Sequence, residues 1–503
     1  MAEPYYITTA ISYPNGAPHI GHAYEAIAAD AIARFKKSKG FDVRFQTGTD
    51  EHGLKMAQAA KAKGLEPSVY AGEMSALFKE MCDRLEVDYD RFIRTTEPAH
   101  HRASQALWQA MEANGDLYLD RYEGWYSVRD EAFYDESELT EGEGGVRLSP
   151  QQTPVEWTAE ESWFFRLSAY QDRLLEHYTQ DPNFIQPVSR RNEVLRFVEG
   201  GLNDLSISRT SFDWGIKVPN SERHVMYVWL DALTNYLTGL GYPDGGEMVD
   251  RYWPADCHLI GKDVVRFHAV YWPAFLMSAG IELPRQIYGH GFLLSRGEKM
   301  SKSVGNVVDP IEMADRYGVD ALRYFLLREV TFGQDGSYSH EAIVNRVNSE
   351  LSNSFGNLAQ RSLSMVFKNL GGVVPAPGKH DDDVRLLAQV SEGCATLSKE
   401  FEHFAFSIGL EAWMAAVFAC NAYVDAQAPW ALRKTDPDRM ADVLGTLVAA
   451  VRQLAEAVIP VIPGAAARLI ANIDAGQGGV PIAAPTPIFP RLELGEDESA
   501  TGC

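Results

Sequence analysis

The first fifty residues constrain the fold more than any other stretch. "PYYITTAIS" (Pro4 to Ser12) is dense in β-branched and aromatic residues and reads as a buried strand. Tyr13 to Gly21 is a loop rich in Pro, Gly and Asn. His22 to Lys39 is a run of helix formers that Gly40 can terminate. "DVRFQTG" (Asp42 to Gly48) reads as a second strand. Strand, helix and strand in this order make a βαβ unit, which commits the chain to a parallel sheet. Such sheets bind ligands beyond the carboxyl ends of their strands. The first strand ends at "PNGAPHIGH", with His19 and His22, and the second ends at "TGTDEHG" (Thr47 to Gly53). Both loops therefore lie on the edge where a site belongs.

A chain of 503 residues is too long for one core and implies several domains. After about Gly115 the sequence becomes short-stranded, acidic and glycine-rich, as expected of an insertion. Strand and helix signals return at "RHVMYVWLDALTNYL" (Arg223 to Leu237) and "CHLIGKDVVRFHAVYWPAFL" (Cys257 to Leu276). From Glu341 the chain reads as helical. Met440, Val443, Leu444, Leu447, Val451, Leu454 and Val458 share one apolar helix face. Val443 to Ile470 is broken by Arg452, Glu456 and Arg468, so it reads as one buried amphipathic helix rather than a membrane span. The tail from Asp474 is Gly- and Pro-rich, then acidic, and is expected to be docked or loose.

The net charge of -23 repels polyanions at long range and argues against indiscriminate nucleic-acid binding. Local basic clusters remain, at Arg190, Arg191 and Arg196 and at Arg346, Arg361 and Lys368. Five cysteines include no CxxC pair, as expected in a reducing compartment, and no basic-then-apolar leader is visible. The expected location is the cytoplasm, with no membrane contact.

The histidine loop has a specific chemical use. A helix N-terminus presents unpaired N–H groups and a partial positive charge, so it suits phosphate. Small residues such as Gly21 let a nucleotide lie against the backbone, and imidazoles there can donate to phosphate oxygens as charge develops. No Walker A loop occurs, because Asp256 stands at the glycine position ahead of Gly261 and Lys262. Far downstream, "GEKMSKSVGN" (Gly297 to Asn306) places Lys299 and Lys302 around Met300 and Ser301. Lysine amines on a closing loop can hold a reacting triphosphate. The histidine loop alone is as readily a loop with no role, and a lysine-serine loop alone is usually a solvated surface turn; the pair is far more specific. Trp229, Ala232 and Tyr236 share a helix face, as do Val264, His268 and Trp272. Two aromatic-rich faces at strand ends make either ordinary core or a pocket for an uncharged thioether.

"HIGH" (His19 to His22) and "KMSKS" (Lys299 to Ser303) resemble the two signatures of class I aminoacyl-tRNA synthetases. Together with "TGTDEHG", "YVWLDA" (Tyr227 to Ala232) and "IGKDVVRFH" (Ile260 to His268), they resemble the methionine branch of that family, over nearly the whole chain. The resemblance implies an α/β fold: a Rossmann-like parallel-sheet catalytic domain with an inserted connective domain, then an α-helical anticodon-binding domain. The implied boundaries are 1–115 and 213–290 for the catalytic halves and 116–212 for the insertion. A KMSKS-loop and stem-contact region would follow at 291–345, anticodon-binding helices at 346–473 and a tail at 474–503.

It also implies a two-step reaction, adenylation of L-methionine by ATP and then transfer to methionine tRNA, initiator and elongator. His19, His22, Lys299 and Lys302 would be catalytic. Gly21, Gly261, Asp263 and Ser301 would join them in holding ATP, and Mg²⁺ would arrive bound to it. Ile11, Tyr13, Asp50, Trp229, Ala232, Leu233, Tyr236, Val264, His268 and Trp272 would bind methionine, with Asp50 on its ammonium. Leu233 departs from a commoner proline. Asn357, Arg361 and Trp430 would meet the anticodon, where an amide, a guanidinium and an indole suit splayed bases.

Many members of the family carry cysteine-based zinc knuckles in the insertion. Here Ser127 and Asp130 stand in place of one pair and Leu148 and Gln151 in place of the other, so no structural zinc is expected. The insertion is too short for the hydrolytic editing domain of the isoleucine, valine and leucine enzymes. No appended dimerisation module is visible, which implies a monomer. Alternatives are another class I synthetase, or an inactive tRNA-binding derivative of one. The cysteine enzyme needs zinc-binding cysteines in its pocket, which are missing here, and the intact signatures count against an inactive derivative.

Overall fold

The computed structural model describes residues 2–130, 132–295, 298–299, 307–477 and 480–494. They form two compact bodies. The first comprises residues 1–18, 40–83 and 87–290; the second comprises 19–39, 84–86 and 291–503.

The first body is built on a six-stranded parallel sheet. Strand β1 (Pro4–Thr9) pairs with β2 (Asp42–Thr49) on one side and with Cys257–Gly261 on the other. Arg91–Arg94 extends the sheet beyond β2, and Ile287–His290 and Ile185–Gln186 extend the other side. The strand order thus reverses direction at β1, and the carboxyl ends of β1 and Cys257–Gly261 flank a topological switch point, where open parallel sheets hold their ligands. β1 is buried along nearly its whole length, so its apolar residues run without alternation.

The insertion is an antiparallel sheet in which Glu156–Phe165 pairs with Leu117–Ser127 over ten positions, with Leu205–Ser206 and Ala132–Tyr134 at the edges. Within this insertion one carboxylate collects hydroxyls. Asp130 Oδ2 accepts from Ser149 at 2.7 Å, Thr153 at 2.5 Å and Tyr134 at 3.0 Å. Ser127 Oγ lies 2.7 Å from Thr153 Oγ1 and accepts from the Asp130 N–H at 3.1 Å. Of the four positions noted from sequence as standing in place of zinc-binding cysteines, Ser127 and Asp130 belong to this hub. Leu148 instead pairs with Thr140 in a short ladder and Gln151 is exposed; Ser149 and Thr153 take their places.

The second body contains α1 (Ile20–Ser38), a three-stranded sheet (Leu293–Ser295, Glu298–Lys299 and Gly336–Tyr338) and the helical C-terminal region. Its longest helices are Asp381–Glu402, Phe406–Gln427 and Pro437–Val458. All seven residues of the predicted 440–458 face are buried. The single helix expected from Val443 to Ile470 is two: Pro437–Val458 ends, and Pro463 opens the next, Pro463–Gln477, because proline suits a first turn and not a helix interior. Among the described residues, the stretch long and apolar enough to span a membrane is instead 406–435, and half of its most apolar 18-residue window is buried inside the body, as in the core helix of a bundle. Arg323, fully buried, donates to Asp30 of α1 at 2.5 Å and to the carbonyls of Leu85, Pro460 and Val461 at 3.1 Å. Each of the three nitrogens of this buried cation has a partner, as burial requires. The tail is docked over 480–494: Asn348 exchanges two hydrogen bonds with the Leu492 backbone, and Ile482 and Phe489 are buried.

Candidate active site and anticodon-facing surface

Two histidines at a helix mouth acquire a structural reason. The His19 side chain caps α1, its Nδ1 accepting from the Gly21 N–H at 3.1 Å. The His22 Nδ1 accepts from the His19 N–H at 3.1 Å, closing a reciprocal capping box. A nitrogen that accepts carries no proton, so each neutral ring carries its hydrogen on Nε2. The rings stack with centroids 3.8 Å apart. The helix therefore begins with two imidazole N–H donors at the positive end of its dipole. Gly21 is needed between them: a Cβ there would stand 2.9 Å from the His19 ring. In the same body, the first signature lysine, Lys299, lies in a strand paired with Leu294. Ser301 and Lys302 lie outside the described residues.

In the first body, the loops after β1 and β2 are joined, since Ser12 N donates to Gly48 O and Asp50 N to Ser12 O, each at 2.9 Å. Tyr13 OH accepts from Met56 N at 3.0 Å. Ile11 and Tyr13 are half-buried and Asp50 is buried. The helix Val228–Thr238 buries Ala232, Leu233 and Tyr236, and Trp229 stacks on Phe267 with ring centroids 3.7 Å apart.

The second aromatic set differs from expectation in its backbone. Val264, His268 and Trp272 do not share one continuous α-helix. Residues 262–264 are a 3₁₀ turn, Phe267–Tyr271 is a π-helix and Trp272–Ala279 is α-helical. The π turn displaces the ladder at His268, as is common at functional sites.

His268 Nδ1 faces the Val264 carbonyl at 2.9 Å, so it carries the proton, and Nε2 accepts from Tyr236 OH at 2.6 Å. The phenol hydrogen is thereby committed to His268. Beneath Tyr236 lies His258, stacked at 4.0 Å and bonded to Thr8 Oγ1 at 2.7 Å. Trp272 is fully buried beside Tyr236.

Burial pushes the His268 imidazole down to about 4, against the pull of the Val264 carbonyl, so this ring is uncharged at neutral pH. The unfolded chain takes up this proton near pH 6.5 and the folded protein only near 4. Folding stability should therefore fall as pH drops from about 6.5 towards 4. In His268→Gln, urea unfolding at pH 7 and pH 5 should show a smaller difference than in the wild type; an equal difference would remove His268 from this linkage.

Sequence reasoning missed the clamps behind these residues. Glu51 is fully buried and its carboxylate accepts from Thr49, Thr96 and both Nε and Nη2 of Arg94, at 2.6 to 2.9 Å. Its carbonyl accepts from Trp214 Nε1 at 2.7 Å. No spacing in the chain links residue 51 to 94 or 214. Gly261 opens the turn to Asp263, whose Oδ1 would stand 2.8 Å from a Cβ on Gly261.

In the helical region, a π-helix (Val347–Gly356) precedes the helix Asn357–Asn369, and Val347, Leu351, Phe355 and Leu358 are buried. Arg361 lies over the Trp430 ring at 5.8 Å and 3.4 Å from Asp425, while Trp430 is 52% exposed. An indole this exposed is not packed core. Asn357 is half-buried at the start of the same helix as Arg361. Arg346, by contrast, belongs to an ion-pair network with Glu329 and Glu350, so this member of the expected basic cluster is structural.

Residues 5–363 match the family of class I tRNA synthetases of the methionine type, and residues 374–495 match the anticodon-binding domain of methionyl-tRNA ligase. The methionine–tRNA ligase of Brucella suis is 56% identical, with 99% of each chain covered. That of Mycobacterium bovis is 56% identical, with 98% of each covered. The solved structure of Mycobacterium tuberculosis methionyl-tRNA synthetase in complex with methionyl-adenylate superposes with a TM-score of 0.94 at 56% identity, covering 97% of this chain and all of the other. The chain belongs to the class I aminoacyl-tRNA synthetases, in their methionine branch.

Proposed function

We infer that this chain joins L-methionine to its tRNA in two steps, and that its residues divide the work as follows. The methionine carboxylate attacks the α-phosphate of ATP, forming methionyl-adenylate and releasing pyrophosphate. A ribose hydroxyl at the tRNA 3′ end then attacks the activated carbonyl and releases AMP. No covalent intermediate on the protein is needed; positioning and charge stabilisation suffice. The His19 and His22 Nε2–H donors face charge developing on the triphosphate. Lys299 and Lys302 hold the departing pyrophosphate, with Ser301 beside them, and Gly261 and Asp263 receive the adenosine. Mg²⁺ arrives as part of its ATP complex.

Asp50 takes the methionine ammonium. Ile11, Tyr13, Trp229, Ala232, Leu233, Tyr236, Val264, His268 and Trp272 enclose the side chain. Asn357, Arg361 and Trp430 read the anticodon of initiator and elongator methionine tRNAs. The enzyme acts as a cytoplasmic monomer.

The observation that carries this reading is the capping box that turns two histidines into fixed donors at a helix N-terminus. Pyrophosphate exchange with a panel of amino acids tests it. Methionine should be the amino acid that supports exchange efficiently; exchange with a different amino acid alone, or none with methionine, sinks it.

The insertion folds without zinc in this reading. The Asp130 hub supplies, by hydrogen bonds, the cross-link that thiolates and metal supply elsewhere. Chelator should leave the melting curve unchanged, and elemental analysis should find no stoichiometric zinc. One tightly bound zinc per chain contradicts this.

A further inference from the structure

A second buried constellation stands behind the methionine pocket, in the first body. Asp231 lies on the helix Val228–Thr238, which carries Trp229, Ala232, Leu233 and Tyr236. Its carboxylate is fully buried and both oxygens are used. Oδ2 lies 2.7 Å from His52 Nδ1, and Oδ1 lies 2.8 Å from His100 Nε2. His100 is itself held at Nδ1 by Thr238 Oγ1, at 2.9 Å, one helix end further on. Burial alone raises the Asp231 carboxyl, but the imidazoles of His52 and His100 outweigh it and hold the group well below the usual carboxylate range. Asp231 is thus an anion that fixes two imidazoles.

We propose that Asp231 is a positioning residue for the ammonium end of methionine, acting through His52 on Asp50. This rests on the reading that Asp50 takes the ammonium. His52 follows Asp50 by two residues in the loop after β2. Between them Glu51 is clamped by Arg94, Thr49 and Thr96. The bond from His52 to Asp231 ties the same loop to the helix that lines the thioether pocket. The two ends of the substrate are thereby measured against one frame, and the separation between them becomes a property of the fold rather than of a mobile loop. His100 stops the carboxylate from rotating away, because a second donor occupies its other oxygen.

The test compares L-methionine with its deamino counterpart, 4-(methylsulfanyl)butanoate, by equilibrium binding to the full chain. The wild type should bind methionine far more tightly. Asp231→Asn should weaken methionine at least fivefold and leave the deamino acid within twofold, so that discrimination shrinks. A merely structural residue would weaken both alike, and that result, or no change in either, overturns the proposal. His52→Asn keeps a donor at the Nδ1 position and should retain discrimination, whereas His52→Gln should lose it. If Asp231→Asn does not fold, this pair decides by the same criterion. Asp50→Asn separates the two inferences. Should it preserve discrimination, the ammonium reading fails. Should it abolish discrimination while Asp231→Asn preserves it, only the positioning role fails.

Discussion

His22→Asn lowers the single-turnover rate of methionyl-adenylate formation by about 10²–10³ and leaves the melting temperature unchanged, because the substitution separates the two jobs of this histidine. That rate loss is the usual consequence of removing one donor that meets transition-state charge. The job of the helix cap belongs to Nδ1, which accepts from the His19 N–H. An asparagine amide oxygen can stand close to that position and keep the bond. The catalytic job proposed for this residue would fall to Nε2, which asparagine cannot reach. Glutamine reverses the assignment: His22→Gln places an amide N–H near Nε2 and gives up the short cap. It should retain part of the rate and lose stability, since a lost cap costs about 0.5–2 kcal/mol. Stopped-flow measurement of adenylate formation beside thermal unfolding reads both. An asparagine variant with wild-type rate, paired with a slow glutamine variant, would assign His22 to capping alone.

The order of what could be read from sequence follows the range of the interactions. β1, α1 and β2 were legible because their signals are local: β-branched density, a glycine-rich loop and a helix run with Gly40 behind it, which has φ 88° in the structure. The Val228–Thr238 face was legible because it keeps one helical period. The Val264–Trp272 face was legible in its residues but not in its backbone, since sequence carries no local cue for a π turn. The two-helix break between Val458 and Pro463 was available in the prolines and was outweighed by the continuity of the apolar pattern. Glu51, His52, Asp231, Arg94 and Phe267 were illegible for a different reason. Their partners lie far away in the chain, and a buried carboxylate looks like a surface one until its neighbours are in place. The hydrogen-bonded hub at Asp130 was half legible: the missing thiols showed in the sequence, but the part of Ser149 and Thr153 depended on the turn that brings them to Asp130.

Trp430→Ala keeps pyrophosphate exchange near the wild-type rate and lowers aminoacylation of methionine tRNA by about 10-fold or more. The chain carries a net charge of -23, so long-range attraction to tRNA is weak and recognition falls to a few contacts. Trp430 is suited to one of them: it is half exposed, it follows Pro429 at the start of a short helix, and Arg361 lies over its face. Base-on-aromatic stacking is worth about 1–3 kcal/mol by alanine substitution, and 1.4 kcal/mol is one decade. Removing an indole that touches solvent on one side leaves no cavity, so stability should change little. Arg361→Ala removes the cation over the ring, a partner of Asp425 and a candidate base contact together, and should also relax discrimination against tRNAs with altered anticodons. Both assays must be run on one preparation. Equal losses in exchange and aminoacylation would mean that the indole supports the fold, and unchanged aminoacylation in both variants would remove the anticodon from this surface.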